Sequence, residues 1–290
     1  LKLALEMGYS PNPIAQKLTQ KRTNNIGIVV PEFINPFFPE VIIGIQDVFL
    51  KKGYQVLIMQ SNEDSDTELE NIKTLEHNFV DGLILSLSKE SHNIEYLNIL
   101  IEKEFPIVLF NRINDSLSVS KVVFDDYKWA FFATEHLIQQ GLKKIIHFAG
   151  PKNQNFSKNR EKGFIDAHKK YGIKVSNDQI FQTGLLVEDG EKVMDRLIES
   201  KNLPDGIFAI NDPAALGAMK VLKRNGIRIP QDIAIVGFSE TPMAELVYPS
   251  LTSVIQPTHQ MGEIAAELLL KQIESNSFII QIKSIQYGKF

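Results

Sequence analysis

Short apolar runs alternate with longer amphipathic stretches along most of this chain. The runs are rich in β-branched residues and are apolar without interruption: NIGIVVP, YQVLIMQ, DGLILSL, FPIVLF, KVVFDD, KKIIHFAGP, DGIFAIND and DIAIVGFSE. Strands covered on both faces have this continuous character, whereas half-exposed strands alternate apolar and polar side chains. The pattern therefore predicts buried, parallel strands.

Between these runs lie stretches with the spacing of amphipathic helices. We expect helices near 37–52, 67–78, 92–104, 127–140, 156–171, 189–200, 213–225 and 258–275. Asp66 and either Asn211 or Asp212 are candidate N-caps. A left-handed residue is expected just after four of the helices, at Gly53, Gly141, Gly172 and Gly226. This alternation is typical of doubly wound α/β folds.

The predicted strands divide into two similar sheets in series, one before Asp125 and one after it. A length of 290 residues also favours two lobes over one core. Two Rossmann-like lobes with parallel sheets form a cleft, with ligand groups at the C-terminal ends of the strands. We expect a first lobe of 24–124 plus 256–276 and a second lobe of 125–255 plus 277–290.

Composition narrows the function classes. The chain has no cysteine, which excludes disulfides, thiolate nucleophiles and thiolate metal sites. No apolar stretch approaches the roughly 20 residues of a membrane span, and the N-terminus lacks the apolar core of a secretory signal, so we expect a cytoplasmic protein. A net charge of -4 argues against a surface that binds nucleic acid everywhere. The segment up to Thr23 is nevertheless basic, with Lys2, Lys17, Lys21 and Arg22 against Glu6.

Signatures of catalysis and of cofactor binding are absent from the sequence. There is no HExxH, GxxxxGK[ST] or GxSxG motif, no GxGxxG after a strand, and no close pair of histidines. We therefore expect no enzyme, no cofactor and no metal site. The acidic segment NEDSD is interpreted as a helix-capping loop, whereas Asp125 and Asp126 end a strand where the lobes meet, and structural and functional roles stay open for them.

Ordered motifs over essentially the whole chain resemble the LacI/GalR family of bacterial transcription regulators. GYSPNPIAQKL resembles the family's junction between headpiece and hinge helix. Six further segments resemble successive parts of its effector-binding core: IGIVVPEFINPFF, VDGLIL, EHLIQQGLKKIIHFAGP, NREKGF, IFAINDPAALGAMKVLKRNGIRIPQDIAIVGF and PSLTSVIQP. The resemblance implies a periplasmic-binding-protein-like core of two lobes joined by three crossover strands. It also implies a small, sugar-like effector, operator DNA as a partner and a homodimer that reads a near-palindromic operator. The sequence leaves two questions open: whether the effector releases the protein from DNA or promotes its binding, and whether the dimer assembles into a tetramer.

Residues 1–23 resemble the end of the family's helix-turn-helix headpiece followed by its hinge helix. In the family a leucine of the hinge helix wedges between base pairs in the minor groove, and nearby basic side chains contact phosphates. The residues expected to contact DNA are Asn12, Lys17, Leu18, Lys21 and Arg22. Because the chain starts at Leu1 without the first two headpiece helices, we expect a truncated form that does not bind an operator specifically.

The resemblance and the strand ends together give the candidate ligand-binding residues. Amide, carboxylate and guanidinium groups match adjacent sugar hydroxyls, and aromatic rings stack on the apolar face of a sugar or a base. The candidates are Asn35, Phe37, Asn111, Phe124, Asp125, Trp129, Arg160, Asn211, Ser239 and Glu240. Simpler roles stay open for several: Asn35 in a turn, Arg160 in a surface pair with Glu161 or another nearby acid, Phe37 and Trp129 in the interior.

Ser239 departs from the family, in which many members have an aspartate that clamps two sugar hydroxyls. A serine hydroxyl cannot clamp in this way unless Glu240 turns inward, so a standard hexose is in doubt. A modified, acidic or phosphorylated sugar near Arg160 is compatible with the change. Two other function classes remain: a solute-binding protein of the same fold for transport or chemotaxis, and an enzyme that uses Asp125 and Arg160.

Overall fold

The computed structural model describes residues 22–239, 241–275 and 280–288. The predictions for Asn12, Lys17, Leu18, Lys21 and Glu240 lie outside these ranges. Within the described ranges, no helix combines the length and the apolar character needed to cross a membrane.

The first lobe is built on a parallel sheet with helices on both of its faces. Its strands are β1 (Asn25–Val30), β2 (Gln55–Gln60), β3 (Gly82–Leu85), β4 (Ile107–Phe110), β5 (Ser120–Phe124) and β11 (Ile282–Ile285), in the spatial order β11-β5-β4-β3-β1-β2. Its helices are α1 (Phe37–Lys51), α2 (Ser65–His77), α3 (Ile94–Glu102) and α9 (Thr258–Ser275).

The second lobe repeats this architecture. Its strands are β6 (Ile145–Ala149), β7 (Ile180–Gln182), β8 (Gly206–Ala209), β9 (Ala234–Ser239) and β10 (Thr252–Ile255), in the order β10-β9-β8-β6-β7. Its helices are α4 (Asp126–Gln139), α5 (Asn155–Lys170), α6 (Val187–Glu199), α7 (Asp212–Arg224) and α8 (Pro242–Leu246). Both sheets are parallel throughout, as the uninterrupted apolar runs predict.

The last described strand lies in a different lobe from the one that the sequence analysis gave it. Residues 277–290 were assigned to the second lobe, but Ile282–Ile285 pairs in parallel with Ser120–Phe124 in the first sheet. Three of its four side chains are exposed, since it is an edge strand with one neighbour. Its weak apolar character therefore says little about which sheet it joins.

Local capping explains several of the helix boundaries. The expected left-handed conformation is present at Gly53, Gly141, Gly172 and Gly226, with φ between 69° and 84°. Asn211 caps α7 by accepting from the backbone N–H of Ala214 at 3.0 Å. The prediction of Asp66 as a cap was wrong, because Asp64 accepts from the N–H of Thr67 at 2.7 Å and α2 begins one residue later.

Two helices that are far apart in sequence pack closely in the first lobe. A Cβ atom on Gly44 of α1 would collide with the carbonyl of His259, and one on Gly262 of α9 would collide with the carbonyl of Val41. These small residues let the two backbones approach directly. The helix that follows Gln256 is thereby fixed to the first lobe, beside the chain crossings.

The apolar core continues from one lobe into the other at these crossings. Phe124, the last residue of β5, meets Phe238 of β9 edge-on with ring centroids 5.9 Å apart. Trp129 of α4 stacks on the other side of Phe124 at 6.4 Å. The crossing region is thus a packed aromatic hinge, and the polar ends of the strands open beside it.

Candidate functional site: the cleft between the lobes

A small cavity lies between the lobes at the C-terminal ends of their strands, and we call it the cleft cavity. Its volume is about 30 Å³. A water molecule needs roughly 10–15 Å³ on this measure, so this form of the cleft is nearly closed. The cavity is lined by Asn35, Phe37, Phe38, Asn111, Arg112, Phe156, Arg160, Leu185, Asn211, Ser239 and Gln256.

The lining contains six of the candidate residues from the sequence: Asn35, Phe37, Asn111, Arg160, Asn211 and Ser239. Sequence reasoning missed Phe38, Arg112, Phe156, Leu185 and Gln256. A signal existed for two of them, since Arg112 directly follows Asn111 at a strand end and Gln256 ends the VIQ run. Phe156 and Leu185 carry no comparable signal in the sequence.

Three candidates occupy the hinge instead of the cleft cavity. Phe124 is only 4% exposed and packs in the aromatic core. Asp125 caps α4, where its Oδ1 accepts from the N–H of Lys128 at 3.1 Å. Trp129 stacks on Phe124 and turns its indole N–H toward the carbonyl of Gln286 at 3.4 Å. All three side chains therefore stabilise the chain crossings. The prediction failed for them because a residue at the end of a strand can point into the hinge instead of the cleft.

Arg160 forms a buried ion pair, although the partner differs from the predicted surface acid. Its Nε and Nη2 atoms donate to Oδ1 of Asp126 at 2.8 and 2.7 Å, and Nη1 donates to the carbonyl of Ile210. Its guanidinium also lies 3.6 Å from the ring centre of Phe238. Burial raises the pKa of Asp126 and lowers the pKa of Arg160, and the attraction between the two charges opposes both shifts. The pair is a fixed, nearly neutral wall of the cavity.

Arg112 brings a second guanidinium to the cleft from the first lobe. Its Nη1 donates to Oε1 of Glu63 at 2.6 Å, and its guanidinium carbon lies 5.4 Å from the ring centre of Phe38. The side chain is 2% exposed, yet its Nε has no partner among the described residues. A buried donor without an acceptor costs about 1–3 kcal/mol, so this N–H is poised to bind an acceptor atom of a ligand.

Gln256 offers a second donor of this kind. The hydroxyl of Ser239 donates to its Oε1 at 2.7 Å, whereas its buried Nε2 has no partner among the described residues. Ser239 itself has a φ of 107° and Asn111 a φ of 55°, a region that costs L-residues energy. Two lining residues with strained backbone, one at a strand end of each lobe, are typical of a functional site.

The side-chain amides of the two asparagines that line the cavity form some of their hydrogen bonds with the protein backbone. Oδ1 of Asn35 accepts from the N–H of Phe37 at 3.1 Å, which is the turn role that stayed open for it. Nδ2 of Asn211 donates to the carbonyl of Leu185 at 2.9 Å, while its Oδ1 caps α7. Each amide is held rigidly, and each keeps capacity for a further bond.

A buried carboxylate supports the cavity floor. Asp212 accepts from the N–H of Thr241 and from the hydroxyl of Ser253, both at 2.6 Å. Burial raises the pKa of Asp212 to about 6, against the opposing effect of these hydrogen bonds. Asp212 thereby ties the end of β9 to β10, the two strands that present Ser239 and Gln256.

The only described residue of the predicted DNA-contact set is Arg22. Its Nη2 donates to the carbonyl of Ile273 near the C-terminal end of α9 at 2.7 Å. A cation at this position also interacts favourably with the helix dipole. In the described structure Arg22 therefore anchors the start of the first lobe to α9.

Two α/β lobes, a hinge at the crossings and a polar cleft at the strand ends define a protein that binds a small ligand between its lobes. The family model described as periplasmic binding proteins and sugar binding domain of LacI family matches residues 23–287. The chain belongs to the LacI family of transcription regulators. The expectation of a ligand-responsive regulator with two parallel-sheet lobes is confirmed over that of a solute-binding protein.

Individual relatives agree with this assignment. The chain is 35% identical to the ribose operon repressor of Halalkalibacterium halodurans over 93% of its length and 78% of that protein. A crystal structure of a putative ribose operon repressor from Burkholderia thailandensis matches with a TM-score of 0.83 and 30% identity, over 93% of this chain and 99% of that one. A LacI family regulator from Enterococcus faecalis, solved with bound ribose, matches with a TM-score of 0.81 and 30% identity, over 92% and 97%. These relatives are transcription regulators, not enzymes.

Proposed function

We propose that this protein is a repressor whose cleft binds a neutral, pentose-like sugar, and that this binding controls its hold on operator DNA. The observation that carries the proposal is a pair of buried donors in the wall of one cavity, Nε of Arg112 and Nε2 of Gln256, neither of which has an acceptor among the described residues. Sugar hydroxyl oxygens are the acceptors that such isolated N–H groups need. Phe37, Phe38 and Phe156 add apolar faces for a sugar ring.

The charge balance favours a neutral sugar over the acidic or phosphorylated one that the sequence left open. Arg160 is paired with Asp126 and Arg112 with Glu63, so neither guanidinium brings an uncompensated charge to the cavity. A ligand that carried its own carboxylate or phosphate would have to be desolvated without a free cation in return. Ribose, which is bound in the structure from Enterococcus faecalis and gives the repressor of Halalkalibacterium halodurans its name, is a neutral sugar of the proposed size.

The nearly closed cleft supplies the regulatory step. With a cleft cavity of only about 30 Å³ this form is nearly closed, so the lobes separate for the sugar to enter and then close around it. Two chains related by a two-fold axis would turn this lobe motion into a change of spacing between their DNA-binding segments. The sugar acts through its different affinities for the two arrangements.

Trp129 is the only tryptophan of the chain and reports on this motion from the hinge. Titration with ribose, followed by tryptophan emission, is expected to give a saturable change that plateaus with the binding isotherm from calorimetry. Sugars that do not bind should leave the emission unchanged. A calorimetric signal without any change in emission would contradict the proposed lobe motion, and no binding of any neutral sugar would contradict the proposed function itself.

A further inference from the structure

A second and larger cavity lies at the edge of the cleft and shares no lining residue with the cleft cavity. We call it the outer cavity, and its volume is about 580 Å³. Two loops of the first lobe, at 87–92 and 113–114, line one side, and the loop 151–154 of the second lobe lines the other. A molecule that spans it therefore contacts both lobes.

Hydrogen bonds at its rim hold the two lobes together. The side-chain amides of Asn153 and Gln154 both donate to the carbonyl of Lys89, Gln154 at 3.0 Å. Nδ2 of Asn155 donates to Oδ2 of Asp115 at 3.1 Å. Because the donors belong to the second lobe and the acceptors to the first, the outer cavity has this shape only while the lobes are closed.

Closure brings two lysines to the walls of the outer cavity, Lys89 from the first lobe and Lys152 from the second. Neither forms an ion pair within the described part of the chain. Glu90 is the single acidic residue among the described residues of the lining. Two cations that approach each other repel, and an anion bound between them removes the repulsion and adds attraction to both.

The surrounding groups also favour an anion. The hydroxyl of Ser88, a lining residue only 2% exposed, has no partner among the described residues. The 16-residue helix α5 begins at this cavity and has neither a side-chain cap nor an acidic residue in its own first turn, and the only carboxylate that meets its first residue among the described contacts is that of Asp115, at 3.1 Å from Nδ2 of Asn155. The nearby carboxylate of Glu68 is already held by the N–H of Ser88 at 2.6 Å and by Nδ2 of Asn93 at 2.8 Å.

We propose that the outer cavity binds a small organic phosphate, and that this second ligand favours the closed lobes. Lys89 and Lys152 hold the phosphate from opposite sides, and the positive end of α5 and the hydroxyl of Ser88 complete the site. Since the sugar of the proposed function also requires closed lobes, the two ligands tighten each other's binding. This last step rests on the proposed function, whereas the phosphate site does not.

Calorimetric titration with 3-phosphoglycerate and with inorganic phosphate, at an ionic strength held constant with sodium chloride, tests the site directly. Saturable binding of 3-phosphoglycerate is expected, at least about tenfold weaker in the double variant Lys89→Gln and Lys152→Gln. Lys158→Gln, an exposed lysine of α5 outside the lining, is the matched control and should bind as the unmodified protein does. Equal binding by inorganic phosphate would identify the free anion as the ligand.

The coupling is measured by repeating the ribose titration with saturating 3-phosphoglycerate. The Kd for ribose should fall at least about fivefold, within the usual range of coupling between sites, and the fall should vanish in the double variant. Absence of 3-phosphoglycerate binding, or binding that the double variant retains, would overturn the outer site. Absence of ribose binding, with phosphate binding intact, would overturn only the proposed function.

Discussion

Ser239 donates its hydroxyl proton to Oε1 of Gln256 at 2.7 Å, across the paired ends of β9 and β10. This bond fixes which end of the planar amide faces Ser239, and it leaves Nε2 of Gln256 free for a ligand. The serine that replaces the family's aspartate is thus a positioning residue. It does not clamp the sugar directly and instead orients the amide donor of Gln256.

Ser239→Ala is expected to weaken ribose binding about fivefold to tenfold, because one neutral hydrogen bond that orients Gln256 is lost. Calorimetry measures the change in Kd. Ser118→Ala, at an exposed serine between β4 and β5, is the control and should not change it. An unaltered Kd in Ser239→Ala would mean that Gln256 does not depend on this bond.

Arg112→Lys is expected to reduce ribose affinity by more than about tenfold, since lysine keeps the charge beside Glu63 but lacks the planar array of donors that includes Nε. The control is Arg224→Lys, which changes a surface pair with Asp195 and Glu191. Both variants are compared by calorimetry after a thermal melt has established that they are folded. Equal affinities in the two variants would exclude Arg112 from the sugar site.

Asp126→Asn tests the buried pair with Arg160. Removal of one charge leaves the other buried and uncompensated, which costs about 3–5 kcal/mol and should lower Tm by roughly 6–20 °C for a chain of this size. Asp232→Asn breaks an exposed pair with Arg228 and should leave Tm nearly unchanged. Similar melting of both variants would show that the Asp126 pair does not hold the cavity wall.

The raised pKa of Asp212 predicts a pH-dependent contribution to stability. The pKa of this group is about 6 in the folded protein and 3.8 for an ordinary aspartate, so the folded state binds the proton more tightly than the unfolded state between these two pH values. The contribution is therefore largest below about pH 4 and is lost as pH rises through about 6. Relative to Asp212→Asn, the unmodified protein should lose about 3 kcal/mol of unfolding free energy between about pH 4 and pH 7. Denaturant unfolding at several pH values measures this difference, and parallel curves would refute it.

The fold is largely predictable from the chain because buried parallel strands are continuously apolar and helix ends carry glycine or a capping side chain. The exceptions are edge strands. The three residues of β7 and the exposed face of β11 carry too little apolar character to be recognised or assigned to a sheet. Register and sheet membership there depend on tertiary pairing with Ala149 and Phe124.

The site was predictable only as far as strand ends identify it. Asn111 and Ser239 were predicted because they follow or end clear apolar runs, whereas Gln256 follows β10, in which only two of the four residues are apolar. The ion-pair partner of Arg160 was not predictable from the sequence. Arg160 pairs with Asp126 because α4 packs on α5, and it does not pair with Glu161, its neighbour in sequence. Which acidic side chain pairs with a given basic one depends on tertiary contacts, and a local sequence pattern does not contain them.

The most direct test of the central claim is a thermal melt of the protein with ribose, ribose 5-phosphate and gluconate. Ribose at one hundred times its Kd should stabilise the fold by about 2.7 kcal/mol, a shift in Tm of roughly 5–10 °C. We expect this shift for ribose; at the same ribose concentration it should fall to about half or less in Arg112→Lys and stay unchanged in Arg224→Lys. A shift with gluconate alone, and none with any neutral sugar, would contradict it.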